Sequence, residues 1–175
     1  MKTNIINAHA PHSGANRKQK KEFYNKLQEV LNKTPKHECN IVMGDLNARL
    51  IERLPNEEGI LGQHRFKEEG TDINILSRNQ LENRQKLIEL CQTNTLIPVN
   101  TTFDKSQRNL ITYRADVKGI YNYEQEIKHK NYAQMDYIMI NKRWRNAVKD
   151  CYTLDTQQID SDHKCLIAKL LPKMA

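Results

Sequence analysis

Ile41-Val42-Met43-Gly44-Asp45-Leu46-Asn47 decides how this chain is read. The apolar run predicts a short strand over Asn40 to Gly44, and it leads directly into an acid and an amide two positions apart. If extended geometry persists that far, alternation aims Asp45 and Asn47 to one side. Such a pair suits phosphoryl chemistry. A carboxylate can orient or deprotonate water, while a neutral amide hydrogen-bonds a phosphate oxygen without repelling it. An ordinary Asx turn closing a strand is the structural alternative.

Three further patterns flank this one. Thr3 to Ala8 is predicted as a buried strand, and Asn7-Ala8-His9-Ala10-Pro11 places His9 where that strand ends; alone, it is more often a turn histidine than a catalyst. In Gln134-Met135-Asp136-Tyr137-Ile138-Met139-Ile140, Asp136 interrupts an apolar strand predicted over Gln134 to Asn141. A carboxylate there costs several kcal/mol unless paired, and His163 is a natural partner that the contact would orient and make more basic. A strand-edge Asp facing solvent is the alternative. Ser161-Asp162-His163 precedes the last strand, predicted over Lys164 to Leu171, and offers a metal ligand beside a proton donor or electrophile. A Ser-His-Asp hydrolase lacks its G-x-S-x-G elbow.

The rest of the chain predicts an α+β fold with helices covering sheets. Phe23, Leu27, Val30 and Leu31 repeat at helical spacing over Asn16 to Asn32, with Arg17, Lys18, Lys20 and Lys21 on other faces. Leu81, Leu87, Ile88 and Cys91 form the inner stripe of a second helix over Gln80 to Thr93. Further strands are predicted at Leu96 to Asn100, Leu110 to Arg114 and Ala147 to Leu154. Arg49 to Asn79 is a long polar excursion of little periodicity, suited to carrying function, and Val117 to Tyr132 reads as a loop or ribbon. No repeat or Gly/Ser linker divides the chain, so residues 1–175 are taken as one domain.

Composition bounds the function classes. The 175 residues carry 28 basic and 21 acidic side chains, a net charge of +7, which favours a polyanionic partner. No apolar run approaches the roughly 18 residues of a membrane helix, and the start lacks a secretory leader, so a soluble, non-secreted chain without a membrane partner is expected. Cys39, Cys91, Cys151 and Cys165 form no C-x-x-C pair and sit among apolar neighbours, as expected of reduced, intracellular, core or near-core thiols. Their spacing gives little support to a zinc site completed by His37 or His163.

Taken together and in order, Asn7 to Pro11, Gly44 to Asn47, Asp136 to Ile138, Lys142-Arg143-Trp144-Arg145 and Ser161 to His163 resemble the endonuclease/exonuclease/phosphatase superfamily. The resemblance is strongest to its non-LTR retrotransposon endonuclease branch, which includes craniofacial-development-protein-like sequences, and it runs nearly the whole chain. It implies a DNase I-like two-sheet β-sandwich flanked by helices, dependent on Mg²⁺, with Mn²⁺ as a substitute, and acting as a DNA endonuclease. By the same resemblance Asp45 activates or positions water, Asn47 holds the scissile phosphate, Asp136 orients His163, and His163 stabilises the transition state. His9 assists leaving-group departure, and Asp162, together with Asp45, binds the metal. The family's principal metal-binding Glu has no counterpart here, so the resemblance also implies an N-terminally incomplete domain completed by an upstream segment, with a reverse transcriptase domain as a further partner and a nuclear location.

Lys128, Lys130, Lys142, Arg143 and Arg145, interleaved with Tyr123, Tyr132 and Trp144, suggest a surface that contacts phosphates and stacks on bases. A solvated charged face, with Trp144 in the core, is the alternative. Two rival functions remain: a catalytically inactive remnant that binds nucleic acid or protein, and a phosphatase acting on a phosphorylated lipid or inositol.

Overall fold

The computed structural model describes residues 2–67, 70–114, 132–154 and 161–171. A four-stranded sheet organises them, in the order β1 (Thr3–Asn7), β2 (Cys39–Asp45), β6 (Asp136–Asn141), β3 (Leu96–Pro98). β1 runs parallel to β2, as it must when the helix α1 (Arg17–Lys33) carries the chain back between them. β6 is antiparallel to both β2 and β3. Two short strands, β4 (Tyr113–Arg114) and β5 (Tyr132–Ala133), pair antiparallel, as do β7 (Val148–Leu154) and β8 (Cys165–Leu170).

Strand alternation divides the core. Val42 of β2 and Tyr137 and Met139 of β6 face α1 and α2 (Arg78–Asn94), packing with Leu27, Leu31, Leu87 and Cys91. Their neighbours Cys39, Ile41, Ile138 and Ile140 point the other way and pack with Val148 and Cys151 of β7. The result is the expected α+β sandwich, with sheets face to face and a helical layer on one side. Both helices open with a capping box, Asn16 with Gln19 and Ser77 with Gln80, which satisfies their first backbone donors.

Several expectations shift for identifiable reasons. β1 is an edge strand, not a fully buried one, and its Ile5 is 63% exposed. The stripe of α2 is Asn83, Arg84, Leu87, Ile88, Leu90 and Cys91, leaving Leu81 outward, as Val30 is on α1. Lys20 is buried rather than solvated: its ammonium donates to the Ser13 carbonyl (2.9 Å) and pairs with Glu82 (3.2 Å), joining the two helices. The strand predicted from Gln134 begins at Asp136, because the Thr112 hydroxyl accepts from the Met135 and Asp136 amides (2.9 and 3.0 Å) before the ladder starts. The strand predicted over Leu96 to Asn100 gives way to a 3-10 turn at Val99, and of Leu110 to Arg114 only the last two residues pair. Cys39, Cys91 and Cys151 are buried free thiols, whereas Cys165 is exposed, on the outer side of β8.

The excursion after β2 is no solvated loop. Leu50, Ile51, Ile60, Leu61, Phe66 and Leu76 are all buried. A buried ion pair anchors it: both carboxylate oxygens of Glu57 accept from the Arg84 guanidinium, at 2.8 and 2.6 Å, and Arg84 also donates to the Glu52 carbonyl (2.7 Å). The Val117 to Tyr132 prediction lies outside the described residues except for Tyr132, which is strand and buried.

Candidate active site

Antiparallel pairing of β2 with β6 sets the end of one strand against the beginning of the other. Asp45 closes β2, Asp136 opens β6, and the register places them opposite each other. The chain leaving β1 keeps to this end of the sheet, with the Ala8 amide donating to the Met43 carbonyl and the Ala10 amide to the Asp45 carbonyl, both at 2.8 Å. His9 is thereby brought to Asp45, Nε2 standing 3.7 Å from Oδ2. Gly44 allows the approach. Its φ is +131°, and a Cβ there would lie 2.1 Å from the Ala8 carbonyl oxygen.

His163 reaches the same cluster from a turn that precedes β8. Its Nδ1 lies 2.9 Å from Oδ2 of Asp136, the partner the strand carboxylate required. Ser161 accepts from the His163 amide (3.0 Å), the Tyr113 ring meets the imidazole edge-on at 5.1 Å, and the Lys164 amide donates to the Thr112 carbonyl (2.8 Å). Thr112 therefore touches both sides of the pair, one through its hydroxyl and the other through its carbonyl. The hydrogen bond that the His163 ring donates to Asp136 raises its pKa above the ordinary value, against the opposing effect of burial, and the charges of Asp136, Asp45 and Asp162 act in the same direction as the bond.

Asp45 is held rigidly. Oδ1 accepts from the Asn47 amide (2.8 Å) and Oδ2 from the Asn47 side chain (2.9 Å). Burial pushes its carboxyl up, reinforced by the neighbouring Asp136 and offset in part by the Asn47 hydrogen bond. Asn47 adopts the left-handed conformation at φ 47°, and the second hydrogen of its amide goes to the Ala10 carbonyl (2.8 Å). Asn47 thus orients Asp45 and the His9 segment here, and a phosphate could be held by its amide only by displacing one of these bonds.

Asn83, which sequence inspection passes over, completes the support. From α2 it donates to the carbonyls of Asn47 (2.8 Å) and Pro11 (3.1 Å), tying the two segments that present Asp45 and His9. The available signal was a polar residue one turn before Leu87 on the inner stripe. Asn100 plays a similar part for β6, donating to the Asp136 carbonyl (3.1 Å).

The fit to a divalent ion is by chemistry rather than by a finished cage. Among the described residues no three His, Cys, Asp or Glu side chains gather as a cation site. Asp45 and the exposed Asp162 offer hard oxygen donors suited to hydrated Mg²⁺, which keeps several waters and takes one or two carboxylates.

The basic residues are placed elsewhere. Lys142, Arg143, Trp144 and Arg145 lie on the 3-10 turn that leaves β6, at the opposite end of that strand from Asp136. Trp144 packs against the β2–β6–β7 core and donates Nε1 to the His37 carbonyl (3.2 Å). Tyr132, 2% exposed, is not available to stack on a base. Lys128, Lys130 and Tyr123 lie outside the described residues.

Solved structures share this architecture over nearly the whole chain. An endonuclease/exonuclease/phosphatase family protein from Leptotrichia buccalis matches with a TM-score of 0.56 and 17% identity, over 97% of this chain and 49% of its own. A 3′ phosphatase, NExo, from Neisseria bound to product DNA hairpin matches at 0.61 and 16%, over 95% and 60%. An AP endonuclease from Archaeoglobus fulgidus matches at 0.60 and 15%, over 96% and 61%. The fold is therefore the DNase I-like fold of endonuclease/exonuclease/phosphatase proteins.

In sequence the chain is similar to craniofacial development protein 2 of Bos taurus, 31% identical over 171 residues, and to that of Tragulus javanicus, 30% identical over the same length. These matches cover 97% of this chain, which spans 25% of the length of either relative. No protein-family model matches the sequence.

Proposed function

We propose that this site hydrolyses phosphodiester bonds in DNA, with water as the nucleophile. The observation that carries the proposal is the convergence of Asp45, Asp136, His163 and His9 from four separate segments at one end of the β2–β6 pair. Asp45 takes the proton of the attacking water. Its raised pKa suits a base, and Asn47 fixes the direction of its oxygens. Asp136 holds His163 by Nδ1, which leaves Nε2 to donate to the charge developing on phosphorus-bound oxygens. His9, 80% exposed in its side chain, is free to move toward the departing oxygen.

Mg²⁺ or Mn²⁺ would be held by Asp45 and Asp162, and when bound would supply charge neutralisation at the phosphate. The similar solved structures are longer than this chain, and among the described residues no strand pairs with the outer side of β1. Both support the further reading that an additional segment supplies another carboxylate ligand. A retrotransposon-derived origin and a nuclear location belong to the same proposal and rest on the motif resemblance and the basic charge.

Incubation with supercoiled plasmid and Mg²⁺ tests the function. Nicking that EDTA abolishes and that Asp45→Asn and His163→Ala reduce is expected. Plasmid binding without nicking, in this chain and in one extended by its upstream coding sequence, would instead establish the inactive binding remnant. Preferential hydrolysis of a phosphoinositide would establish the phosphatase.

A further inference from the structure

A cavity of about 450 Å³ lies at the β3 edge of the sheet, remote from the catalytic cluster. Ile97 of β3, Lys142 and Arg145 of the turn after β6, and the 59–64 segment form its walls. β6 is 6 residues long, which separates that turn from Asp136 by roughly 20 Å at about 3.4 Å per residue.

The loop wall is fixed before any ligand arrives. Ile60 and Leu61 donate their amides to the Glu57 carbonyl (3.1 and 2.8 Å), and the Glu57 side chain is clamped by Arg84. Gly62 donates to the Thr101 hydroxyl (3.0 Å) and the His64 amide to the Thr101 carbonyl (2.9 Å). Gly62 is required for that approach, since a Cβ would fall 2.0 Å from the Thr101 oxygen. A preformed wall removes much of the ordering cost of binding.

Charge is unbalanced at the same place. Arg53, Lys142 and Arg145 line the cavity, and none has a carboxylate partner among the described residues. His64 is committed to Asp104 at 3.3 Å, and Glu58 is the one carboxylate in the lining. Behind Arg53, Arg65 donates to the Gly62 carbonyl while its Nε is buried without a partner. Burial holds the Arg65 pKa below the ordinary arginine value, and adjoining Arg53 and Arg84 add to the effect.

We propose that this cavity binds a phosphorylated ligand of nucleotide size, with the phosphate held by Arg53, Lys142 and Arg145 and the apolar portion against Ile97. The volume lies within the range of small-molecule sites. Three unneutralised cations call for more than one negative charge, which a phosphate monoester supplies and a single carboxylate does not. Arg53 and Arg145 add the planar fork that fits phosphate oxygens. Arg143, between these residues in sequence, lines only a neighbouring groove with Gln28 and Asn94, which Lys142 borders as well, whereas Arg145 faces the cavity. A free nucleotide and the terminal phosphate of a DNA strand share this chemistry.

Trp144, the only tryptophan, stands between Lys142 and Arg145 in sequence and serves as the fluorescence probe, with calorimetry as the independent readout. Adenosine monophosphate and a short single-stranded oligonucleotide, with and without a 5′ phosphate, are titrated against the protein by fluorescence and calorimetry. Saturable binding is expected for at least one phosphorylated probe. It should weaken at least about tenfold in Arg53→Gln and in the Lys142→Gln/Arg145→Gln double variant, and stay within about twofold in Arg143→Gln and Asp45→Asn. Binding of the mononucleotide would assign a free nucleotide; binding confined to the 5′-phosphorylated oligonucleotide would assign a strand end. Absence of saturable binding, an equal loss in Arg143→Gln, or loss in Asp45→Asn would overturn the proposal.

Discussion

Asp45 stands directly opposite Asp136 in the β2–β6 ladder, a pairing of two carboxylates on adjacent strands at the rim of a buried sheet. Like charges in that position destabilise a sheet unless other groups neutralise them. Here Asp136 is matched by His163, and Asp45 by the two donors of Asn47 with His9 nearby.

Replacing Asp45 by Asn should separate catalysis from stability. Nicking is expected to fall by roughly 10²-fold or more, since a proton acceptor is lost. Stability should not fall with it. The folded pKa of Asp45 is raised above 3.8, so its favourable contribution is complete below that value and is lost as pH rises through the raised one. At neutral pH the variant should melt at the wild-type temperature or higher. Full activity in a folded variant would remove Asp45 from the mechanism.

The His163–Asp136 pair sets a pH dependence of definite sign. His163 has a folded pKa above 6.5, so its protonation stabilises the fold fully below that value, and the contribution is lost as pH rises through the raised one. Asp136→Asn should lower the His163 pKa, measured by NMR titration of the ring proton, and move the alkaline limb of the activity profile to lower pH. An unmoved titration would show that the 2.9 Å contact does not govern the imidazole.

The Glu57–Arg84 pair should be expensive to break from one side. Arg84 is 2% exposed and Glu57 5%, so Arg84→Met leaves a buried carboxylate unpaired, at a cost of about 3–5 kcal/mol. The double variant Glu57→Gln/Arg84→Met should recover part of that loss in urea unfolding. If the single and double variants are equally destabilised, packing rather than charge is what Arg84 contributes.

Gly44→Ala tests the joint between fold and site. The new methyl would meet the Ala8 carbonyl, and the φ of +131° is itself strained for alanine. Stability should drop by about 1–3 kcal/mol from the backbone strain alone, and nicking should fall as the His9 segment moves off Asp45. Gly59→Ala is the control. Nothing lies within 4 Å of its added methyl, and its melting should shift by less than about 0.5 kcal/mol in stability.

The sequence by itself determined the strands and helices whose pattern is periodic and the identity of the polar residues at strand ends. Ile41 to Asn47 announced β2 and the carboxylate at its exit, and Asp136, set into the run Met135 to Ile140, demanded a partner, because an unpaired buried charge is too costly to keep. Which partner was a matter of register. Only the antiparallel alignment of β2 with β6 sets Asp45 against Asp136, and contacts of the 112–114 segment with the 162–164 turn bring His163 to within 2.9 Å of that carboxylate. Tertiary structure alone also decided the charges. Lys20 reads as a residue on an outer helix face but is buried, and Arg84 and Glu57 are buried too, because partners distant in sequence neutralise them. Arg53, far from Lys142 and Arg145 in sequence, joins them around one cavity because the 59–64 segment is pinned to Thr101. Local pattern records what each residue prefers over one or two turns of chain, whereas the neutralisation of a charge depends on contacts closed by the whole fold.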